Sequence, residues 1–161
     1  FLNIKEKESN RVVHNHFLDT LKTLLPEGCV PIIITDAGFK NPWFKKVIQL
    51  GWDYVGRVRG VVKYNDGQGF KPCKDLHPGA KEKLEEILGE KKLSRKGTLL
   101  TNFYRYKHTL LGRKKHQKDK SISRHKDSIH YGKGYREPWI IFSSLKNDAR
   151  VIRIYKWRMT I

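Results

Sequence analysis

The first apolar pattern along the chain has the spacing of an amphipathic helix. It covers residues 9–25, with Ser9 or Asn10 as the N-cap and Pro26 beyond its end. Its apolar positions fall on one helical stripe: Val13, Phe17, Leu21 and Leu24. The stretch from Val30 to Thr35 is almost continuously apolar, which predicts a central strand of a parallel or mixed sheet, buried on both faces.

A second helix and a second strand follow. Residues 41–51 begin with Asn41 as the predicted cap and Pro42 in the first turn, and they end at Gly51. Residues 52–60 predict the next strand. Helix, buried strand, helix and strand together make an α/β unit, in which ligands bind at the carboxyl ends of the strands.

After residue 60 the pattern changes to short β-like runs separated by glycine, asparagine, aspartate and proline. These runs cover residues 61–64, 97–111 and 138–145. Residues 80–88, closed by Gly89, predict a short helix between them, and a last helix begins at Asn147 or Asp148. The expected fold is therefore α/β with an antiparallel β-rich insertion.

Charge points to a polyanionic partner. The chain of 161 residues has a formal net charge of +18, with 12 basic against 8 acidic residues in 1–80 and 22 against 8 in 81–161. Nucleic acid is the simplest partner, while an anionic membrane surface or plain solubility are the alternatives. Residues 112–136 hold nine of the basic residues and no apolar period. We expect a loop there that orders only against phosphates, with Lys114 and Lys115 among its phosphate contacts.

The remaining composition excludes several other classes. Cys29 and Cys73 form no C-x-x-C pair, so a disulfide framework or zinc knuckle is not indicated and a reducing, cytoplasmic setting is expected. No pair of histidines has the ligand spacing of a zinc finger. No apolar stretch reaches the roughly 20 residues that span a bilayer, and the N-terminus is charged where a signal peptide would be apolar.

Asp36 is the most informative single residue because it ends the predicted buried strand. Mg²⁺ is held by hard oxygen ligands, usually one or two carboxylates with water and phosphate oxygens, so Asp36 is a candidate metal ligand. The alternative is a solvated loop carboxylate. A two-metal site needs further carboxylates, which must come from elsewhere.

The last helix offers a second candidate face. Tyr155 and Arg158 lie about 60° apart on the helical wheel, and the position after Ile161 falls between them. A carboxylate at that position would share their face. Alternatively, Tyr155 packs in the core and Arg158 is a surface charge.

Three segments carry a resemblance to a known family. Residues 31–60 ("PIIITDAGFKNPWFKKVIQLGWDYVGRVRG"), 137–145 and 154–161 resemble the cut-and-paste transposases of the insertion-sequence-four family. The resemblance implies an RNase H-like core, three metal-binding carboxylates (Asp, Asp and Glu) and a β-rich insertion between the second and the third. It also implies the signature Tyr, two residues, Arg, three residues, Glu, six residues, Lys.

The resemblance assigns Asp36 as the second catalytic aspartate and metal ligand, with Mg²⁺ or Mn²⁺ as the cofactor. Tyr155 and Arg158 match the first two signature positions, and the signature Glu would directly follow Ile161. We therefore expect a partial RNase H-like core (1–60), a β-rich insertion (61–145) and the start of the signature helix (146–161). With one of three carboxylates, such a fragment should be inactive by itself.

The resemblance also implies DNA contacts. Trp139 matches a tryptophan that stacks on a base flipped out near the transposon end, and the alternative is that Trp139 anchors a strand. Tyr155 and Arg158 would hold neighbouring phosphates. Arg57 and Arg59 match basic positions near bound DNA, although Arg59 fits a solvated surface equally well.

The implied activity is excision and insertion of a mobile element by phosphodiester hydrolysis and strand transfer. The implied partner is double-stranded DNA, bound by a paired complex on two ends in the bacterial cytoplasm, with no membrane involved. Two alternatives stay open: a non-catalytic basic nucleic-acid-binding module, and a nuclease of the same fold.

Overall fold

A computed structural model describes residues 10–59, 61–77, 85–95, 97–107, 137–146 and 148–158. The helices are α1 (Asn10–Leu24), α2 (Asn41–Gln49) and α3 (Arg150–Trp157), with a 3-10 turn at Cys73–Leu76. The strands are β1 (Ile32–Ile34), β2 (Asp53–Val58), β3 (Lys63–Asn65), β4 (Phe70–Pro72), β5 (Glu85–Leu93), β6 (Leu99–Tyr106) and β7 (Trp139–Ser143). No helix in these ranges has the length and apolar character needed to cross a membrane.

The strands form one mixed sheet in the order β1-β2-β7-β6-β5-β3-β4. β1 and β2 are parallel, as the α/β pattern predicts, and every other described pairing is antiparallel. β7 lies between β2 and β6, so the antiparallel strands extend the sheet of the α/β unit. The sheet is thus continuous across the predicted boundaries of the insertion, which remain predictions.

The prediction that Val30 to Thr35 forms a central strand buried on both faces is wrong. β1 lies at the edge of the described sheet, and Ile32 is 38% exposed there. A run of apolar residues indicates a strand but does not give its neighbours, which depend on the rest of the chain.

Helix α1 confirms the predicted amphipathic helix, but its buried face is different. Leu18 is fully buried, whereas Phe17 and Leu24, which were expected to face the core, are 50% and 75% exposed. His14, one turn before Leu18, packs its ring against Trp43 of α2. The buried face of α1 is therefore shifted by about one residue position from the predicted stripe, and it faces α2.

Helix α2 also forms where it is predicted, but Asn41 does not cap it. The Asn41 amide Nδ2 donates hydrogen bonds of 3.0 Å to the carbonyl oxygens of Leu93 and Gly97, in the turn between β5 and β6. The N-cap residue is Lys40, and its side chain makes no capping hydrogen bond. Beyond the C-terminal end of α2, Gly51 has a φ of +77°, which glycine adopts without strain.

The helix predicted over residues 80–88 is wrong where the structure describes it. Residues 85–88 belong to β5, which pairs along its length with β6. Gly89 has a φ of +76° and sits at a shift in the register between these two strands. It marks a β-bulge rather than a helix end. Long-range pairing with β6 has overridden the local helical pattern.

The sheet separates two hydrophobic cores. α1 and α2 cover one face, where Phe44, Tyr54 and Phe142 are buried, and α3 covers the other with Val151 and Tyr155. Gly56 of β2 is required by the first core, because a Cβ there would lie 2.6 Å from Cζ of Phe142.

A buried chain of hydrogen bonds joins three neighbouring strands, β2, β7 and β6. The Tyr54 hydroxyl donates to Oγ1 of Thr101 at 2.8 Å, and that hydroxyl donates to the carbonyl oxygen of Ser143 at 2.8 Å. The Ser143 hydroxyl then donates to the carbonyl oxygen of Tyr54 at 2.6 Å. Side chains of β2, β6 and β7 thereby fix one another inside the core.

We predict that Tyr54→Phe lowers the free energy of unfolding by about 1 kcal/mol at neutral pH, because one buried hydrogen bond is lost. Burial raises the pKa of Tyr54 from 10.0 to about 12. The contribution of the protonated hydroxyl to the free energy of unfolding is therefore fully present below pH 10. It is lost as the pH rises towards 12.

The measurement is urea denaturation of both proteins from pH 7 to pH 12. Other buried tyrosines titrate in both proteins, so the difference between the two isolates Tyr54. A difference that stays constant above pH 10 would contradict the assignment.

Candidate functional site

Asp36 lies where the parallel pair of strands ends. The Thr35 N–H still donates to the carbonyl oxygen of Val55 at 2.9 Å, and Asp36 follows directly beyond this last bond. Its side chain is 53% exposed. The Ala37 N–H donates to Oδ1 of Asp36 at 2.7 Å and fixes the carboxylate. The structure therefore places Asp36 at the carboxyl edge of the sheet, as the sequence predicts.

Arg158, from the C-terminal end of α3, lies beside this carboxylate. Its guanidinium Nη2 is 3.1 Å from Oδ2 of Asp36. Partial burial by itself raises the pKa of Asp36, but the Ala37 N–H and the Arg158 guanidinium outweigh it, so that the pKa is lowered. Asp36 is thus ionised at neutral pH and bound to a cation from a distant part of the chain.

Tyr155 lies one turn before Arg158 and is buried, with 1% of its surface exposed. Burial raises the pKa of its hydroxyl, and the guanidiniums of Arg57 and Arg158 partly oppose this rise. Among the described residues, the hydroxyl has no hydrogen-bond partner of good geometry. Tyr155 thus packs in the core, as the alternative predicts, and its contact with phosphates stays a prediction. The same helix brings the Arg158 guanidinium to Asp36.

Two arginines from the end of β2 share one acidic partner. Nη2 of Arg57 is 3.4 Å and Nη2 of Arg59 is 3.0 Å from Oε2 of Glu137. Burial lowers the pKa of Arg57, whose side chain is 11% exposed, whereas Arg59 is 49% exposed. Nε of Arg57 is buried without a hydrogen-bond partner in the described part of the chain.

Trp139 begins β7 and packs in the core under α3, with 6% of its surface exposed. Its ring centroid is 5.2 Å from those of Tyr106 and Tyr155, and the Arg57 guanidinium lies 5.6 Å from the ring. This position is the one that the strand-anchor alternative predicts. Stacking of Trp139 on a base stays a prediction, and it requires these neighbours to separate from the ring.

Glu137 is a residue of this site that the sequence analysis does not identify. The antiparallel pairing of β2 with β7 sets Val58 opposite Ile140, which carries the residues after β2 towards those before β7. Glu137 is thereby brought to Arg59 across a sequence separation of 78 residues. Its proximity depends on strand register, which no local motif encodes.

Among the described residues of this site, Asp36 is the candidate metal ligand. Asp36 offers an ionised oxygen ligand of the kind that Mg²⁺ and Mn²⁺ prefer. The described ranges contain no group of three His, Cys, Asp or Glu side chains that could hold a metal ion. A two-metal centre therefore needs carboxylates in addition to those described. Lys114 and Lys115, the predicted phosphate contacts, lie outside the described residues.

Comparison with known families decides the class of protein. The family model for the transposase DDE domain matches residues 7–161. This chain belongs to the transposase DDE domain family. No curated protein and no solved structure matches it.

Membership of the transposase DDE domain family indicates the kind of site to which Asp36 belongs. DDE transposase domains have an RNase H-like fold, use divalent metal ions and act on DNA. The mixed α/β sheet, the ionised Asp36 at its carboxyl edge and the strongly basic composition all agree with this family.

We predict that Glu137→Gln raises the affinity of this DDE domain for duplex DNA and steepens its dependence on salt. Without the carboxylate, Arg57 and Arg59 are available to phosphates, and each added phosphate contact increases the salt slope by about one. Fluorescence anisotropy with a labelled duplex at several salt concentrations measures both quantities.

Asp66→Asn is the matched control because it also removes one carboxylate from an ion pair, with Lys71 at 3.2 Å. If both variants raise the affinity equally, bulk charge rather than the Glu137 contact is responsible.

Proposed function

We propose that this chain is part of the catalytic core of a cut-and-paste transposase of the insertion-sequence-four family, related to the transposase of the tetracycline-resistance transposon Ten. In this proposal the core is RNase H-like, and residues 61–145 form its antiparallel β-rich insertion. The observation that carries the proposal is the 3.1 Å contact between Asp36 and Arg158. It joins a carboxylate at a strand end to the helix that bears Tyr155 and Arg158, the two residues that match the start of the signature.

The proposed reaction is hydrolysis of a phosphodiester at the transposon end, followed by strand transfer into target DNA. Two Mg²⁺ or Mn²⁺ ions, when bound, would activate the attacking water or 3′-hydroxyl and stabilise the leaving oxygen. Asp36 supplies one anionic oxygen ligand from a rigid position, because the β1–β2 pairing and the Ala37 N–H fix its carboxylate. The lowered pKa keeps that ligand deprotonated at neutral pH.

Arginines around Asp36 would bind the phosphates on either side of the scissile bond. Arg158 presents a planar guanidinium, which matches two phosphate oxygens at once. Arg57 and Arg59, both paired with Glu137, would supply two further guanidinium groups at the end of β2. The phenol of Tyr155 is buried in the core under α3 and would contact the same phosphates once its packing against Trp139 has opened.

We propose that Trp139 stacks on a base flipped out of the transposon end, after its contacts with Tyr106 and Tyr155 have opened. An aromatic plane replaces the stacking that a flipped base loses. The nearby Arg57 would hold the adjoining phosphate, since its guanidinium is 5.6 Å from the Trp139 ring. Catalysis is proposed to take place on two paired DNA ends in the bacterial cytoplasm.

A non-catalytic nucleic-acid-binding role is the second candidate. It is favoured by the net charge of +18, and by the absence of any group of three possible metal-binding side chains among the described residues. Under this alternative, binding would be salt-dependent but indifferent to Mg²⁺ and to Asp36→Ala. The 161-residue chain alone should not join strands under either candidate, because one carboxylate cannot hold two metal ions.

We predict that Asp36→Ala, in a transposase that contains this chain and the remaining carboxylates, lowers metal-dependent cleavage by at least about 1,000-fold. The reason is that several kcal/mol of transition-state stabilisation by metal is lost. DNA affinity should be retained or rise slightly, because loss of the carboxylate leaves Arg158 available to phosphates. Single-turnover cleavage of a labelled transposon end with Mg²⁺ measures the loss.

Asp19→Ala is the matched control, because Asp19 is 52% exposed and its carboxylate lies 2.7 Å from Nζ of Lys46. It should retain full cleavage. Cleavage retained by Asp36→Ala would overturn the catalytic assignment.

We predict that Trp139→Ala slows hairpin formation at the transposon end more than it slows the first nick, since only the hairpin step needs the flipped base. Trp139→Phe keeps an aromatic plane and should restore much of the hairpin rate. Gel analysis of both steps under single-turnover conditions gives the two rates. Equal slowing of both steps would show that Trp139 acts only through the core, where removing its ring is expected to cost about 3–5 kcal/mol of stability.

A further inference from the structure

A cleft of about 530 Å³ opens beside the Asp36 edge, next to the core under α1 and α2. Its apolar floor includes Phe39, Val58 and Phe142. Trp139 packs in the core on the other face of the sheet and does not line the cleft. Ala37, the residue after Asp36, is one of the residues that line the cleft, so the cleft lies next to Asp36.

The walls of the cleft are fixed to one another. One wall is the start of α2, from Lys40 to Pro42, and the other is the turn that follows β5, from Leu93 to Arg95. Asn41 spans the gap through its two 3.0 Å hydrogen bonds to the carbonyl oxygens of Leu93 and Gly97. Asn41 is 9% exposed, so these bonds are shielded from water and the cleft is preformed.

The described charged residues that line the cleft are all basic, and one of them, Arg59, is paired with Glu137. The lining of the cleft includes Lys40, Arg59, Lys63 and Arg95, and none of the described residues that line it is acidic. Arg95 is exposed and lies 5.5 Å from the ring of Phe70, which holds its guanidinium at the rim. A concave apolar floor surrounded by cations fits a ligand that is flat and apolar in one part and anionic in another.

We propose that this cleft binds an unpaired nucleotide of a DNA strand that runs past Asp36. Its base lies on the apolar floor, and its phosphates contact Lys40 and Arg95. The inference rests on the proposed function to the extent that the strand is DNA. A paired base does not fit the same description, because its faces are covered by its neighbours in the stack.

The test compares binding of the 161-residue chain to three DNA probes. The probes are a blunt duplex, the same duplex with a three-nucleotide single-stranded flap, and that flap with abasic sites. We expect the flap to bind about tenfold more tightly than the blunt duplex, and the abasic flap to lose this gain because its sugar-phosphates remain but its bases are absent. Equal affinity for the flap and the abasic flap would overturn the proposal.

Variants then locate the binding. The double variant Lys40→Ala/Arg95→Ala should lose the preference for the flap. It should still bind the blunt duplex, as the unmodified chain does. Lys22→Ala with Lys45→Ala is the matched control, since it removes the same charge from exposed helix positions outside the cleft. An equal loss in the control pair would mean that the net charge, and not the cleft, sets the preference.

Two further measurements separate the remaining outcomes. A 5-iodouracil in the flap should photo-crosslink to Phe39, and crosslinks confined to Trp139 or Tyr155 would overturn the cleft as the site. A free mononucleotide at millimolar concentration should not displace the flap, and full displacement would overturn the proposal that the nucleotide binds as part of a strand. Binding to the duplex without any flap preference contradicts this inference alone, whereas absence of all DNA binding contradicts the proposed function.

Discussion

Strand β2 is the element on which the site depends, because it is hydrogen-bonded in parallel to β1 on one side and antiparallel to β7 on the other. The parallel pairing brings the C-terminal ends of β1 and β2 together, which places Asp36 near Arg57. The antiparallel pairing brings Glu137 and Trp139, from a distant part of the chain, to the same end of β2. Gly56 lets Phe142 approach β2 closely, and the hydrogen bonds of Tyr54 hold the strand in register.

The charges at this edge are arranged in alternation rather than as a uniform positive patch. Asp36 faces Arg158, and Glu137 faces Arg57 and Arg59. These pairs are partly exposed, so each contributes little to stability by itself. Their effect is to hold long side chains in fixed positions around a carboxylate. A chain with a large positive charge thereby keeps a defined local geometry where chemistry on DNA is expected.

Sequence reasoning succeeded where a pattern is local. The strand that ends at Asp36, strand β2 and the aromatic strand β7 are predicted as strands because short runs of β-branched and aromatic residues are a local signal. It failed where long-range pairing decides: residues 85–88 have helical character but join β6, and Asn41 has the chemistry of a cap but bonds to a turn some fifty residues away. Glu137 was missed for the same reason, since only strand register brings it to the arginines.

The contact between Asp36 and Arg158 also has a thermodynamic consequence. A long arginine side chain that is free in solution loses conformational entropy when a phosphate orders it. Here the ion pair already restricts Arg158, so most of that entropy is lost when the chain folds. A phosphate that takes the place of Asp36 then exchanges one anionic partner for another, and the preordered arginine favours its binding.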